Sequence, residues 1–304
     1  MDPNIKKDSY RPESLPIYIE VVYRIFGKAP CQTVRNEKRG TMKTTLFIPV
    51  RNEIDGIKVI MPMIDKDWVD EILVVDGNST DGTREWFEEN GYKVIRQQSE
   101  GLCGAYWEGI EAATGDVIIP FSPDNNSLPE LIPALIAKME EGYDMVIASR
   151  YKDDATSEDD DPITAIGNWL FTKTTNLFLR RDFTDVLVMY RAFRKELLTE
   201  LELDIRKIPA FEMQMLFRSV KAKLKIIEIP GDEPKRIGGQ RKMHPIYNGV
   251  CLLYVMVREM FIWHPDPATF TRGKKTEPDP ESEQSSASYE PALSIDSSAE
   301  LLKA

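Results

Sequence analysis

The sequence predicts an α/β fold, with a mainly parallel central sheet flanked by helices. Three observations predict it. Short apolar runs recur along the chain: TTLFIPV (44–50), EILVV (71–75), VIIPF (117–121) and DMVIA (144–148). Segments with helical spacing of apolar residues separate them, which is the pattern of βαβ units. Three of the runs end in polar turns that carry acids, at the sheet edge where open α/β sheets bind ligands.

Each element follows from its residues. Residues 1–14 are polar, and Leu15 to Phe26 (LPIYIEVVYRIF) is apolar with sparse charges. That segment reads as helix or strand, packed on the domain or lying on a membrane surface. Residues 27–43 are a polar connector, so 1–43 form an N-terminal extension, with Met42 as an alternative start. The first strand begins at Thr44 and ends at Pro49, before Arg51-Asn52-Glu53. Ile57 to Ile64 is spaced as a helix. The second strand, Glu71–Val75, runs into DGNSTDGT (76–83), and a helix Arg84–Asn90 is closed by Gly91. Tyr92–Arg96 is a third short strand. Gly101–Ala113 is a helix with small residues on one side. The fourth strand, Val117–Phe121, stops at Pro123, which has no N–H for a ladder.

A helix Leu128–Glu141 and a fifth strand Asp144–Ala148 follow. The acidic run YKDDATSEDDDP (151–162) reads either as a solvated mobile loop or as a lid. Ile163–Leu179 is a long helix, Thr184–Phe193 carries no clear period, and a helix ends at Leu201. Phe211–Ala222 is amphipathic, and Leu224–Ile229 is a late strand. Arg236–Lys242 is a basic loop containing glycines. Ile246–Ile262 is an apolar helix expected to cover the core, with membrane docking as the other option. From Thr271 the composition turns to Lys, Glu, Pro, Ser and Asp, so 271–304 is expected to be a disordered tail. The folded domain is then 44–270, a single domain with flexible ends.

The totals exclude several classes. With 304 residues, the chain can bury a full core. Its formal net charge is −11, which argues against a broad electrostatic grip on nucleic acid. Two histidines, His244 and His264, are too few for a histidine-based metal cluster. Three widely spaced cysteines fit a reduced, cytoplasmic protein. The polar start is not a secretory signal. No apolar run approaches the roughly 20 residues of a membrane span, so any membrane contact would be peripheral.

The polar turns carry the chemistry. Glu53, Asp76 with Asn78, and Asp124 with Asn126 follow strands one, two and four. Parallel strands bring those ends to one edge, so the acids converge. Hard cations such as Mg2+ or Mn2+ take such oxygens and bridge them to a substrate's phosphates. The turn at 122–130 is also compatible with an ordinary strand-to-helix turn in which Ser127 caps the helix.

The motifs IPVRNE (48–53), EILVVDGNSTDGT (71–83), GLCGAYWEGIEAATGD (101–116) and PDNNSLPE (123–130) resemble family 2 glycosyltransferases of the GT-A fold. MVIASRY (145–151), TDVLVMYRAFRKELL (184–198), FEMQML (211–216) and RIGGQRK (236–242) are similar, more loosely, to the dolichyl-phosphate mannosyltransferase branch. The resemblance implies a hexosyltransferase that uses a nucleotide-sugar donor, UDP- or GDP-linked, with inversion and help from Mg2+ or Mn2+. It places Pro49 and Glu53 at the base and ribose, Asp76 and Asn78 beside the nucleotide, and Asp124 as the last acid of the DxD metal motif. Ser122 stands where that motif has its first acid. Asn126 matches a frequent Gln ligand. Arg150, Arg191, Arg236, Arg241 and Lys242 are candidate phosphate contacts, with surface solvation or ion pairs to the many acids as their other reading; Arg150 and Arg191 lie in the family-like motifs, the latter with Asp185. Glu212 is the acid nearest to a general base, and the Glu-Asp pair of many relatives is missing. An ionised phosphate acceptor needs no base, so a polyprenyl phosphate fits; a soluble hydroxyl acceptor is the alternative. A binding protein that has lost catalysis, and a nucleotidyltransferase, are the remaining readings. The latter lacks a Gly-rich first loop.

Overall fold

The order of the sheet, rather than the identity of its strands, sets the edge on which the polar turns meet. The computed structural model describes residues 42–206, 210–238 and 245–264. Seven strands form one sheet: β1 (Thr44–Val50), β2 (Glu71–Asp76), β3 (Lys93–Arg96), β4 (Val117–Pro120), β5 (Met145–Ser149), β6 (Arg191–Arg194) and β7 (Ile226–Pro230). Their order is β3-β2-β1-β4-β6-β5-β7. All pairings are parallel except those of β6, which runs antiparallel to β4 and β5. The carboxyl ends of β1, β2, β4, β5 and β7 therefore share one edge with the amino end of β6.

β1, β4 and β5 are almost wholly buried, as expected of strands covered on both faces. The covering helices are α1 (Ile54–Ile60), α2 (Thr83–Glu89), α3 (Gly101–Ala112), α4 (Leu131–Glu140), α5 (Pro162–Leu179), α6 (Leu197–Glu200), α7 (Phe211–Lys221) and α8 (Pro245–Phe261). α3 lies against β1 because Gly109 lets it. A Cβ there would stand 2.2 Å from the Phe47 ring. α5 starts where Asp161 caps it, its Oδ1 accepting from the N–H groups of Ile163 and Thr164 at 2.9 and 3.0 Å, with Pro162 in the first turn.

The expected elements appear with small shifts at their ends, and three differences are larger. α4 begins at Leu131, not Leu128, and Ser127 does not cap it; its hydroxyl accepts instead from Ser122 N–H at 3.4 Å. The stretch without a clear period holds β6. The run 151–162 is largely exposed but anchored by side chains at Thr156, Ser157, Asp159 and Asp160. Contacts divide the chain between residues 42 and 43, and of the first unit only Met42 is described. The expectations for 1–41 and 265–304 lie outside the described residues, as do Arg241 and Lys242.

The edge opposite the polar turns is fastened by Glu71. Its carboxylate accepts from Thr45 Oγ1 at 2.8 Å, Thr114 N–H at 2.7 Å and Lys93 Nζ at 2.7 Å, joining β1, β2, β3 and the turn before β4. Burial alone would raise its pKa, but the Lys93 ammonium and the Thr114 and Thr45 donors outweigh it and hold the carboxyl at about 2. A depressed carboxylate stabilises the fold above its unfolded pKa, and that contribution is lost as pH falls through the folded value. Glu71→Gln is therefore expected to lower the urea midpoint at pH 7, with the gap to wild type closing as pH falls from about 4.5 toward 2. A gap that stays constant across this range would refute the role.

Candidate active site

The first two turns are laced together by their own polar groups. β1 and β2 end in register, Val50 opposite Asp76. Asn52 and Asn78 then take left-handed conformations, with φ of 54° and 61°, which asparagine tolerates better than most residues. Asn52 N–H donates to Ser79 Oγ at 2.9 Å, and Thr80 N–H returns a bond to Asn52 Oδ1 at 2.8 Å. Glu53 N–H donates to Thr83 Oγ1 at 2.9 Å and Ile54 N–H to Asp81 Oδ2 at 3.1 Å. The DGNSTDGT segment thus does structural work: its hydroxyls and Asp81 shape the Glu53 turn. Asp76 is fully buried, both oxygens 3.2 Å from the Ser79 N–H. Glu53 is nearly buried, Pro49 half-buried and Asn78 exposed, with its Oδ1 accepting from Arg96 Nε at 3.0 Å.

The third turn joins them through α1. A Cβ on Gly56 would sit 2.6 Å from the Pro123 carbonyl oxygen and 3.2 Å from the Asp124 Cα, so the helix that follows Glu53 rests directly on the turn after β4. The 235–238 segment closes over the same place. Ile237 N–H donates to the Asp124 carbonyl at 2.8 Å, and Asn125 Nδ2 to the Lys235 carbonyl at 2.8 Å. Asp124 is 2% exposed. One of its oxygens accepts from Asn126 N–H at 3.1 Å, and the other pairs with Arg236 Nη1 at 2.6 Å.

These donors fit a hard divalent ion in kind. The Asp124 carboxylate lies next to Asn126, whose buried Oδ1 has no hydrogen-bond partner among the described residues. Such oxygens are the ligands that Mg2+ and Mn2+ take. Among the described residues no group of three or more His, Cys, Asp or Glu is arranged to hold a metal, which agrees with Ser122 in place of an acid.

Arg150, at the end of β5, is committed to carboxylates. Nε and Nη2 grip Asp185 at 2.6 and 3.1 Å, and Nη1 reaches Asp160 at 3.3 Å and Glu233 at 3.2 Å. Burial would lower its pKa, but Asp185, Glu233 and Asp160 more than offset this and push it up. Asp185 is fully buried and also accepts from Asn168 Nδ2 at 3.0 Å and from the Leu187 and Val188 N–H groups at 3.2 Å. Arg191 is fully buried too, bonded to the Val188 carbonyl and, at 3.3 Å, to the Glu212 carbonyl. The structure thus places Arg150, Asp185 and Arg191 in the interior, where they fix the turns around the site. Glu212, in the first turn of α7, is pushed up in pKa by burial, against the pull of Arg191.

Four side chains join the site without having been singled out in the sequence. Asp159 Oδ2 accepts from Asn126 Nδ2 at 2.9 Å, and Glu233 Oε1 from the same amide at 3.4 Å. Asp160 and Asn168 complete the Arg150–Asp185 knot. The acidic run therefore bends inward at Asp159 and Asp160 and docks beside Asn126. An open depression bordered by Tyr143, Arg181 and Lys225 lies at the other edge of the sheet, away from all of these groups.

Residues 45–202 match the family model described as Glycosyl transferase family 2. The undecaprenyl-phosphate mannosyltransferase of Micrococcus luteus is 28% identical over 215 residues, covering 66% of this chain and 88% of the relative. The dolichol-phosphate mannosyltransferase of Pyrococcus furiosus is 31% identical over 221 residues, 66% of this chain and 59% of the relative. Among solved structures, glucosyl-3-phosphoglycerate synthase from Mycobacterium tuberculosis, in complex with Mn2+, UDP and phosphoglyceric acid, superposes with a TM-score of 0.55 at 20% identity, covering 75% of this chain and 81% of that chain.

Proposed function

Because the chain belongs to glycosyl transferase family 2, we propose that this glycosyltransferase of GT-A fold moves a hexose from a UDP- or GDP-sugar, with inversion, to a polyprenyl phosphate. The observation that carries the reading is the interlacing of three acid-bearing turns, with Glu53, Asp76 and Asp124, at one sheet edge. Pro49, Glu53, Asp76 and Asn78 line the side that receives the base and ribose. Asp124 and Asn126 would hold Mg2+ or Mn2+, which would supply charge neutralisation for the departing diphosphate. Arg236, already on Asp124, adds a guanidinium that binds phosphate oxygens. Arg150, Asp185 and Arg191 act as positioning residues. The acceptor phosphate oxygen forms the new bond to the anomeric carbon, while the bond to the donor diphosphate breaks and its electron pair leaves with the nucleotide. The relatives named for lipid phosphates support this acceptor. A lipid-borne acceptor places the reaction at a membrane surface, on its cytoplasmic side in this reading; no described helix is long and apolar enough to cross a membrane.

A soluble hydroxyl acceptor is the second reading, and Glu212 is the observation in its favour. A carboxyl raised by burial is suited to take a proton. Glu212→Gln separates the two. With a polyprenyl phosphate acceptor the variant is expected to keep kcat within a few-fold of wild type, since no proton need be removed. A loss of about 10^2-fold or more would assign Glu212 as the base and the acceptor as a hydroxyl.

A thermal-shift screen of UDP- and GDP-sugars, with and without Mn2+, tests the donor half of the proposal. The expected result is a stabilisation that grows with donor concentration and is larger with the ion. Nucleotide binding with no sugar release from any donor would instead identify a binding protein without catalysis.

A further inference from the structure

We infer that the outward stripes of α5 and α8 form one apolar face that docks on the surface of an anionic lipid bilayer. The inference rests on the acceptor reading above and says how the chain would meet a lipid-borne phosphate.

α5 is built inside out. The side chains it turns to the protein are polar: Asn168, Thr172 and Thr175 are all buried, with Asn168 bonded to Asp185 and Thr172 to Asn168. The side chains it turns to solvent are Ile163, Ile166, Leu170 and Leu177, each more than half exposed. They follow one another at three-, four- and seven-residue steps, a single stripe opposite the buried one. A helix packed on a water-soluble core normally shows the reverse. α8 buries Val255, Met256 and Met260 as expected, yet also exposes Tyr247, Val250, Tyr254, Val257 and Phe261 on a second stripe. The two helices meet at their carboxyl ends, where the exposed rings of Phe178 and Phe261 stand edge to face, 5.8 Å apart, and carry the apolar surface from one to the other. A contiguous exposed face of this kind marks an interaction surface.

Three observations select a bilayer as the occupant. The first is charge. From Pro162 to Arg181 there is no acid, whereas Lys173, Arg180 and Arg181 are exposed, in a chain whose formal net charge is −11. Local basic residues beside an apolar stripe complement anionic headgroups. The second is aromatic character. Trp169, Tyr247 and Tyr254 are exposed on the face, and rings with one polar end settle at the headgroup level. The third is continuity. α5 begins two residues after Asp160, so the stripe starts at the rim of the candidate site. Lys173 separates a bilayer from a second copy of the chain. It lies on the α5 stripe, between Leu170 and Leu177. Against lipid its stem lies flat and its ammonium reaches the headgroups. In a symmetric pairing of two copies it would bring like charge into an apolar seam.

Flotation of the full chain with vesicles of equimolar phosphatidylcholine and phosphatidylglycerol tests the inference. Wild type is expected to float, and the Ile166→Glu, Val257→Glu double variant to lose at least about 10-fold in partitioning. Brominated lipids should quench a part of the tryptophan emission that Trp169→Phe removes. A donor-induced thermal shift equal to wild type shows that the double variant is folded. Wild type that does not float, a double variant that floats equally, or a wild-type dimer that the double variant dissociates without any flotation would each overturn the docking face. Failed flotation with an intact donor shift overturns this inference alone. Flotation without a donor shift overturns the functional reading alone.

Discussion

Asp124→Ala is expected to lower kcat/KM for glycosyl transfer about 10^3-fold, on the order of 4 kcal/mol of transition-state stabilisation. Asp124 is the one carboxylate at the centre of the site whose side chain meets both the Arg236 guanidinium and the Asn126 turn. Its removal takes away the acid proposed to hold the metal and leaves the Arg236 guanidinium without that carboxylate. The metal–diphosphate contact is made most strongly as charge develops on the leaving group, so kcat should fall as well as donor affinity. Some stability is lost too, about 1–3 kcal/mol, because Arg236 and Asn126 N–H lose an acceptor. Asp124→Asn is the control, since it keeps an oxygen in place but no charge. It should fold like wild type and still fall well short of wild-type turnover. Full turnover in both variants would remove Asp124 from the reaction.

Asp185→Ala is expected to destabilise the fold by about 3–5 kcal/mol, the cost of leaving one member of a buried ion pair alone. At roughly 2–4 °C per kcal/mol for a domain of this size, the melting temperature should drop well beyond experimental scatter. Asp185 is fully buried and receives Arg150, Asn168 and two backbone N–H groups. Its loss leaves Nε and Nη2 of Arg150 without their acceptor and loosens the guanidinium that holds Asp160 and Glu233, and through Asp160 the acidic segment beside Asn126. The effect should therefore reach the site. Donor KM is expected to rise together with the loss of stability. A variant within about 1 kcal/mol of wild type in urea unfolding would show that the knot is ornamental.

Much of this was legible in the sequence because the signals are local. β1, β2, β4 and β5 are apolar runs, and Pro49, Gly77 and Pro123 stand where the turns after β1, β2 and β4 begin. The convergence of Glu53, Asp76 and Asp124 needed only parallel strands, whose carboxyl ends share an edge by geometry. β6 was hidden for a physical reason. It is four residues long, RAFR, and its first arginine is fully buried on backbone carbonyls. Hydropathy reads arginine as surface, so a strand bounded by two arginines does not look like the interior of a sheet. Arg150 and Arg191 were singled out from the motifs they lie in, and the motifs do not say that Asp185 and backbone carbonyls are the groups they bond. Asp159 and Asp160 were lost among the six acids of 151–162. Nothing in the run says which two turn inward, because Asn126 and Arg150, which draw them in, come from other strands. Glu233 carried no signal, since it sits with Asp232 in a short polar turn after a proline-ended strand. α5 looked like an ordinary long helix. Its inverted face became visible only once Asn168 and Thr172 were seen to pack on Asp185.

The most direct measurement is the position of Mn2+ by anomalous scattering in crystals grown with UDP. The ion is expected on Asp124 and Asn126, with the diphosphate between it and Arg236 and the uracil beside Asp76. Mn2+ and UDP bound together at the opposite edge, near Tyr143 and Arg181, would contradict the proposed site outright.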